Sequence, residues 1–252
     1  MRLAGGERAH IVVIPTASDT PDESGQAYAD VFGMLGARTV EVFRAENAHA
    51  AERDEAIAML ERASGIFISG GDQARLAAVF CGTRAAETIL RCNRAGVIVA
   101  GTSAGAAFMS ASMIESGESR ATPIKGMTVM QPGLGLLQNL VVDTHFGERG
   151  RTGRLLEILA ANPHLITLGL DEDTAAVIDG DVVMRVVGSG AVMVLDGTGV
   201  RSDYELVADD EPVMTNGAEL HTITARYTFD LRVRKFVPPL RASWTHVEAA
   251  DD

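Results

Sequence analysis

Residues 96–105 read GVIVAGTSAG, an apolar run that ends in Gly101-Thr102-Ser103-Ala104-Gly105. The run predicts a buried strand, and the small residues that follow Ser103 (AGAAFMSA) allow a helix to begin there. A serine between glycines at a strand–turn–helix junction is held in a strained backbone conformation with its hydroxyl exposed. The stretch therefore predicts a nucleophile elbow with Ser103 at its apex.

The first two thirds of the chain alternates short apolar runs with segments of helical spacing. Strands are predicted at residues 10–15, 39–43, 65–69 and 96–100, with helices between them. Strands that lack polar alternation and are separated by helices are typical of a parallel sheet covered on both faces. The predicted fold class is therefore α/β, with a doubly wound, mostly parallel sheet.

From about residue 165 the pattern changes to short strands: ITLGL, TAAVID, VVMRVVG and AVMVLD. No linker-like stretch precedes them, so they are interpreted as antiparallel additions at one edge of the sheet rather than a second domain. Residues 1–240 are expected to form one α/β domain, and residues 241–252, which end in EAADD, a frayed tail.

The composition limits the possible partners. A formal charge of −12 argues against nucleic acid or an anionic membrane as the main partner, because both select clustered Lys and Arg. The N-terminus lacks the features of a signal peptide, and the spacing of Cys81 and Cys92 fits neither a metal site nor a redox pair. A cytoplasmic protein with free thiols is expected.

A serine nucleophile needs a general base, and His145 is the strongest candidate among six histidines. It follows the apolar run NLVVD, which predicts a strand end, and three arginines come directly after it: Arg149, Arg151 and Arg154. The other histidines have no comparable setting and are interpreted as surface or structural residues: His10, His49, His164, His221 and His246.

Arg151 and Arg154 are three residues apart at the predicted start of a helix, so they share a face. Cations there oppose the helix dipole, which favours a functional site, here one for a carboxylate. The alternative is that they pair with Glu148 or Glu157 on a solvated face.

Two further loops are predicted at the same sheet edge. Asp171-Glu172-Asp173 follows ITLGL and offers an acid to orient the histidine, but the spacing leaves open which one. Gly70-Gly71-Asp72-Gln73 follows GIFIS, where exposed amides can face an acyl oxygen, although a simple βα turn explains it equally well. The amide of Ala104, at a helix N-terminus, is a further oxyanion donor.

The motifs IVVIPTAS, FISGGDQ, GTSAGAAFMS, GLGLL, the D-x-H-F-x-x-R-x-R-x-x-R run and GLDEDTA resemble, in this order, those of the cyanophycinases. These are serine peptidases related in fold to class I glutamine amidotransferases and α-aspartyl dipeptidases. The resemblance spans residues 10–240. It implies a homodimer, without metal or other cofactor, that cleaves cyanophycin, a polyaspartate with arginine on each side-chain carboxyl, into β-aspartyl-arginine dipeptides.

The family's Ser–His–Glu triad would fall on Ser103, His145 and Glu172, with Asp171 as the second choice for the acid. Its oxyanion donors would match Gly70, Gly71 and Ala104. The resemblance also implies a set of substrate-binding positions: Asp72, Gln73, Asp143, Thr144, Arg149, Arg151 and Arg154.

Two features depart from the family pattern. Only MRLAGGERAH precedes IVVIPTAS, where the family has a further strand and a Gly-Gly-Ala-Glu segment. One strand and part of the pocket wall are therefore expected to be missing. The residue before the histidine is Thr144, where the family usually has Gln. Hydrolase chemistry tolerates this change better than cyanophycin specificity does, which leaves a related dipeptidase for other aspartyl or β-linked peptides as an alternative.

Other functions fit the sequence less well. An esterase of the α/β-hydrolase type places its histidine last in the chain, which would require His221 or His246. An amidotransferase-like domain would have Cys at the elbow. A catalytically inactive ligand-binding homologue is the non-enzymatic alternative, against which the intact Ser103, His145 and Glu172 argue.

Overall fold

The computed structural model describes residues 1–180 and 182–237, so the predicted frayed tail and His246 lie outside the described residues. The helices are α1 (Pro21–Met34), α2 (Ala48–Ala51), α3 (Asp54–Arg62), α4 (Gln73–Phe80), α5 (Arg84–Arg94), α6 (Ala104–Ala107), α7 (Phe146–Arg149) and α8 (Thr152–Ala161).

The strands up to the predicted change of pattern are β1 (His10–Ile14), β2 (Thr39–Val42), β3 (Gly65–Ile68), β4 (Ile98–Gly101), β5 (Ser112–Gly117), β6 (Thr128–Pro132) and β7 (Leu140–Thr144). The later strands are β8 (Ile166–Leu170), β9 (Thr174–Asp179), β10 (Val183–Gly188), β11 (Ala191–Asp196), β12 (Arg201–Ser202), β13 (Thr215–Asn216), β14 (Glu219–Thr224), β15 (Thr228–Asp230) and β16 (Lys235–Val237).

The first sheet is parallel, in the order β2-β1-β3-β4, and both of its faces are covered. Because side chains alternate along a strand, Val12 and Ile14 of β1 pack with α3, α4 and α5, while Ile11 and Val13 pack on the side of α1. This burial on both faces confirms the doubly wound α/β prediction.

The second sheet has the order β14-β11-β8-β7, in which β7 and β8 are parallel and β11 and β14 are antiparallel additions. One face packs on α8 through Leu155 and Leu159. The other face packs on a third sheet of order β16-β15-β10-β9.

The antiparallel strands therefore differ in part from the predicted arrangement. Strands β11 and β14 extend the edge of β8, whereas β9, β10, β15 and β16 form a separate sheet. Met184 and Val186 alternate along β10 and, with Phe229, are fully or almost fully buried, which gives this sheet an apolar face. Such a face buries more apolar surface when it packs on a sheet than when it extends an edge.

The parallel strands are also divided, because β4 and β7 are not hydrogen-bonded to each other in the described part of the chain. The short helix α6 contacts both strands. Ala104 packs in the core of the first sheet and Ala106 in that of the second. The helix that begins at the elbow thus joins the two sheets.

Before β1, the segments Arg2–Ala4 and Gly6–Arg8 form two short 3-10 helices, at the place where the family resemblance implies a further strand. Cys81 is exposed, Cys92 is buried, and neither forms a disulfide. Across residues 1–180 and 182–237, the helices are all too short or too polar to traverse a bilayer.

Candidate active site

Ser103 lies in the turn between β4 and α6 with φ 49° and ψ −116°, which is an unfavourable backbone conformation for a residue with a side chain. The flanking glycines allow this turn to pack tightly. A Cβ on Gly105 would lie 2.2 Å from the carbonyl oxygen of Ile68, and one on Gly101 would lie 2.5 Å from the backbone of Gly105. Both glycines of the predicted elbow are therefore required by close backbone contacts.

His145 and Glu172 reach the same place from two neighbouring strand ends, those of β7 and β8. The Oγ of Ser103 lies 3.0 Å from Nε2 of His145, and Nδ1 of His145 lies 2.7 Å from Oε1 of Glu172. Since a carboxylate only accepts hydrogen bonds, Nδ1 carries the proton and Nε2 is left to accept one from the serine. The three side chains form a continuous hydrogen-bonded chain.

The other two acids of the 171–173 run have different partners. Asp171 accepts hydrogen bonds from the amides of Gly147, at 3.1 Å, and Ala191, at 3.1 Å. Asp173 accepts one from Ser189. Asp171 therefore links α7, which begins directly after His145, to β11, and Glu172 is the acid next to the imidazole.

Glu148 supports Glu172 from the side. Its Oε1 accepts a hydrogen bond of 3.0 Å from the backbone amide of Glu172. Hydrogen bonds from its own amide and that of Glu172 hold the pKa of Glu148 below its usual range, so this exposed carboxyl stays ionised.

The amides that we expect to form an oxyanion hole lie close to the serine. A Cβ on Gly70 would lie 3.1 Å from Cβ of Ser103, which shows how near the two backbones are. Gly71 has φ 136°, and a Cβ there would lie 2.0 Å from the carbonyl oxygen of Ala17, so only glycine fits. Within residues 1–180 and 182–237, no protein atom accepts a hydrogen bond from the amide of Gly70, Gly71 or Ala104. These three N–H groups are the oxyanion donors that we propose.

Asp72 and Gln73 have local partners. Asp72 is the N-cap of α4, where its Oδ1 accepts a 2.8 Å hydrogen bond from the amide of Ala74. The amide nitrogen of Gln73 donates to the backbone carbonyls of Ile114, at 3.2 Å, and of Glu115. Gln73 lines the cavity beside Ser103, while Asp72 is not among the lining residues.

This cavity has a volume of about 370 Å³ and extends from Ser103 to a group of arginines that follow β7. Arg154 and Asp143 are buried, with side chains 5% and 2% exposed, and form a bidentate ion pair. Arg151 also donates to Asp143, at 3.0 Å, and to the carbonyl oxygen of Thr144. Arg151 and Arg154 thus share one carboxylate, which is neither Glu148 nor Glu157.

The arginine group is cationic as a whole. Two guanidinium groups on one carboxylate leave an excess positive charge, to which the exposed Arg149 adds another. Burial lowers the pKa of Arg151, and the charge of Asp143 partly offsets this effect. Thr144, the residue directly before His145, also lines the cavity. A cationic wall of this kind suits a substrate carboxylate.

One side of the cavity was not predicted from the sequence. The β5–β6 hairpin contributes Ile114, Glu115, Ser116 and Gly117 to the lining. The sequence SMIESG has only a weak strand pattern and no motif that marks it as part of a site. Among the strands of residues 1–180 and 182–237, these two pair only with each other, so their place is set by contacts that are distant in sequence.

An α/β fold that brings a serine at an elbow, a histidine and a carboxylate together at the carboxyl ends of its parallel strands is that of a serine hydrolase. Residues 1–186 match the model of peptidase family S51, and the chain belongs to that family. It is a serine-type peptidase.

The chain is also similar in sequence to several cyanophycinases. The chain is 38% identical to the cyanophycinase of Trichormus variabilis over 237 residues, which cover 93% of this chain and 80% of the relative. It is 37% identical to that of Synechococcus elongatus over 244 residues, covering 94% and 76%. These likenesses make the protein a cyanophycinase-like peptidase and confirm the predicted family.

Solved structures support the fold. A peptidase from an acI-B1 actinobacterium superposes with a TM-score of 0.67 at 22% identity, covering 91% of this chain and 88% of the other. A putative peptidase E protein from Listeria monocytogenes gives a TM-score of 0.50 at 18% identity, covering 72% and 87%.

Proposed function

We propose that this enzyme hydrolyses cyanophycin to β-aspartyl-arginine dipeptides, with Ser103 as nucleophile, His145 as general base and Glu172 as the acid that orients the histidine. The hydrogen-bonded chain from Ser103 through His145 to Glu172 carries the proposal. The proposed substrate, cyanophycin, is inferred from the similarity to cyanophycinases.

In the proposed reaction, the Oγ of Ser103 attacks the carbonyl carbon of the scissile peptide bond while Nε2 of His145 takes the hydroxyl proton. Glu172 stabilises the imidazolium that forms. The amides of Gly70, Gly71 and Ala104 hold the negative oxygen of the tetrahedral intermediate. His145 then gives its proton to the leaving amine, and a water molecule, activated by the same histidine, hydrolyses the acyl-enzyme.

The arginine group fits the chemistry of this substrate. In cyanophycin each arginine is attached through its α-amino group, so its carboxylate and its guanidinium both remain free. The carboxylate suits the wall formed by Arg149, Arg151 and Arg154. We propose that this wall holds the substituent next to the scissile bond.

The test is incubation of the purified enzyme with cyanophycin, followed by mass analysis of the products. We expect β-aspartyl-arginine from the wild type and none from Ser103→Ala. Wild-type enzyme that labels with a serine-directed fluorophosphonate yet leaves cyanophycin intact would contradict the substrate but not the hydrolase chemistry.

Thr144 favours a second candidate, a dipeptidase for other aspartyl or β-linked peptides. Thr144 lines the cavity beside His145, where the family resemblance places Gln, so the contacts to the substrate differ there. A panel of aspartyl dipeptides run alongside cyanophycin distinguishes the two substrates. Binding of these peptides without turnover of any would instead support a ligand-binding homologue.

The assembly that we propose is a homodimer, on the strength of the family resemblance. Light scattering coupled to size-exclusion chromatography measures it directly, and a mass near 26.6 kDa would contradict it.

A further inference from the structure

Glu115 is placed in the cavity by an irregularity of the β5–β6 hairpin. Strand β5 pairs with β6 in register up to Ile114 opposite Met130 and resumes with Ser116 opposite Val129, so Glu115 is the extra residue of a β-bulge. A bulge redirects a side chain, and bulges are common next to active sites. Glu115 is half-buried and lines the cavity together with Ser103 and His145.

Gln73 holds this bulge against the elbow region. Its side-chain amide donates to the carbonyls of Ile114, the last paired residue before the register shift, and of Glu115, the bulged residue itself. Gln73 is the first residue of α4, directly after the loop of Gly70 and Gly71. The position of Glu115 is therefore coupled to the part of the site that we propose to bind the oxyanion.

The carboxylate of Glu115 has no cationic partner among the residues that the structure describes. None of their Lys, Arg or His side chains lies within 4.0 Å of it, although three arginines line the same cavity. Asp143, the other acid of the lining, is occupied by Arg151 and Arg154. The cavity thus combines a cationic wall with one separate carboxylate that is available to a ligand.

A half-buried carboxylate in a binding cavity recognises a cationic group, and a guanidinium forms the strongest pairs because it can donate two parallel hydrogen bonds. We propose that Glu115 is a specificity-determining residue that binds the guanidinium of an arginine substituent, while the arginine wall binds the carboxylate of the substrate. This inference rests on the proposed function, since it assigns a side-chain preference to that same site.

The test compares two synthetic trimers of the cyanophycin repeat, in which the side-chain carboxyl of each aspartate carries either arginine or citrulline. Citrulline has a neutral urea group of nearly the same shape as the guanidinium. The wild type is expected to cleave the arginine trimer with a kcat/KM roughly tenfold or more higher, since a charge-assisted pair is worth about one decade of affinity or more. Glu115→Gln is expected to remove this preference by slowing only the arginine substrate.

Glu118→Gln is the matched control. Glu118 follows β5 in the same hairpin, is exposed, and pairs with Arg120 at 2.5 Å outside the cavity. Its substitution should leave the arginine-to-citrulline ratio unchanged. If Glu115→Gln retains the wild-type ratio, or slows both trimers equally, the proposal is overturned.

A binding measurement separates this inference from the proposed function. Two inactive proteins are compared, Ser103→Ala and the double variant Ser103→Ala/Glu115→Gln. Calorimetric titration measures how strongly each binds the dipeptides β-aspartyl-arginine and β-aspartyl-citrulline, and requires no turnover. A preference for the arginine dipeptide that disappears with Glu115→Gln supports the role of Glu115 even if cyanophycin is not cleaved. Equal binding of both dipeptides to the protein that retains Glu115 contradicts it, even if cyanophycin is cleaved.

Discussion

Ser103 and His145 both have positive φ angles, 49° and 54°, in a region that residues with side chains seldom adopt. Each such conformation costs about 1–3 kcal/mol and persists only where the surrounding structure enforces it. Here the two strained residues follow β4 and β7, and their side chains meet at 3.0 Å. Strain at both ends of one hydrogen bond is consistent with a site that is organised before substrate arrives.

If Ser103 and His145 act as one unit, their substitutions should not be additive. We expect Ser103→Ala and His145→Ala each to lower kcat by roughly 10⁴-fold or more, and the double variant to lose little further activity. Steady-state kinetics on the cleaved peptide measure this. His221→Ala is the control, because His221 lies in β14 and packs against Phe229. Loss of activity in that variant would disprove the assignment of the base.

The neighbours Glu172 and Asp171 should respond differently to removal of a charge. Glu172→Gln is expected to lower kcat by roughly 10³–10⁴-fold with little change in melting temperature, because the amide no longer stabilises the imidazolium. Asp171→Asn replaces an acceptor that serves two backbone amides.

We therefore expect Asp171→Asn to lower the free energy of unfolding by about 1–3 kcal/mol. Its activity well below the melting temperature should stay within about tenfold of the wild type, a margin of roughly 1.4 kcal/mol. Thermal denaturation measured together with kinetics separates the two effects. The reverse pattern, a stable but inactive Asp171→Asn, would make Asp171 the orienting acid.

At the scale of elements, Ser103, His145 and Glu172 each follow the carboxyl end of a parallel strand, where open α/β folds place their sites. They meet because α6 contacts both β4 and β7 and so joins the two sheets. Strands β3, β4, β7 and β8 are apolar runs that end in polar or glycine-rich segments, so the sequence was sufficient to predict which loops meet. It was not sufficient for β5 and β6, because in the described part of the chain these strands pair with no strand outside their hairpin, and tertiary contacts place it.

Contacts between elements also explain why glycine is needed at position 105. A methyl group there would approach the carbonyl oxygen of Ile68 at 2.2 Å and push α6 away from β3. Gly105→Ala is expected to lower the free energy of unfolding by about 3 kcal/mol and to weaken fluorophosphonate labelling of Ser103.

Gly33→Ala is the matched substitution for this comparison. Gly33 lies in α1, and a methyl group there would meet no atom within 4 Å. It should raise the free energy of unfolding by roughly 0.5–1 kcal/mol, because alanine favours helix. Chemical denaturation of both variants measures the difference. Equal stability of Gly105→Ala and the wild type would show that the elbow does not depend on this contact.

At the scale of the whole molecule, a few side chains join the sheets, and the sequence alone did not identify them. The separate sheet of β9, β10, β15 and β16 has an apolar face, but its attachment also depends on Arg234, which follows β15. Arg234 donates to Asp196 of β11, to the hydroxyl of Thr198 and, at 2.8 Å, to the carbonyl of His164. A pattern of hydrophobic residues cannot reveal such a link, because it depends on which polar groups the fold brings together.

Asp196 makes this link dependent on pH. Burial raises its pKa, but the hydrogen bonds from Thr198 and Arg234 outweigh that effect and hold the pKa below the usual 3.8. A carboxyl whose pKa is lower in the folded state stabilises the fold above its unfolded pKa, and this contribution is lost as the pH falls through the folded value.

Arg234→Ala is therefore expected to lower the free energy of unfolding at neutral pH by about 2 kcal/mol, since it leaves a buried carboxylate with fewer donors. The difference from the wild type should shrink as the pH falls from the usual carboxyl value of 3.8 through the lowered pKa of Asp196, because protonation removes the charge that Arg234 stabilises. Arg232→Ala provides the control, because Arg232 is exposed and its side chain forms no ion pair within the described residues. Urea denaturation across this pH range tests the prediction. If the stability difference between Arg234→Ala and the wild type does not change with pH, Arg234 does not act by stabilising the carboxylate of Asp196.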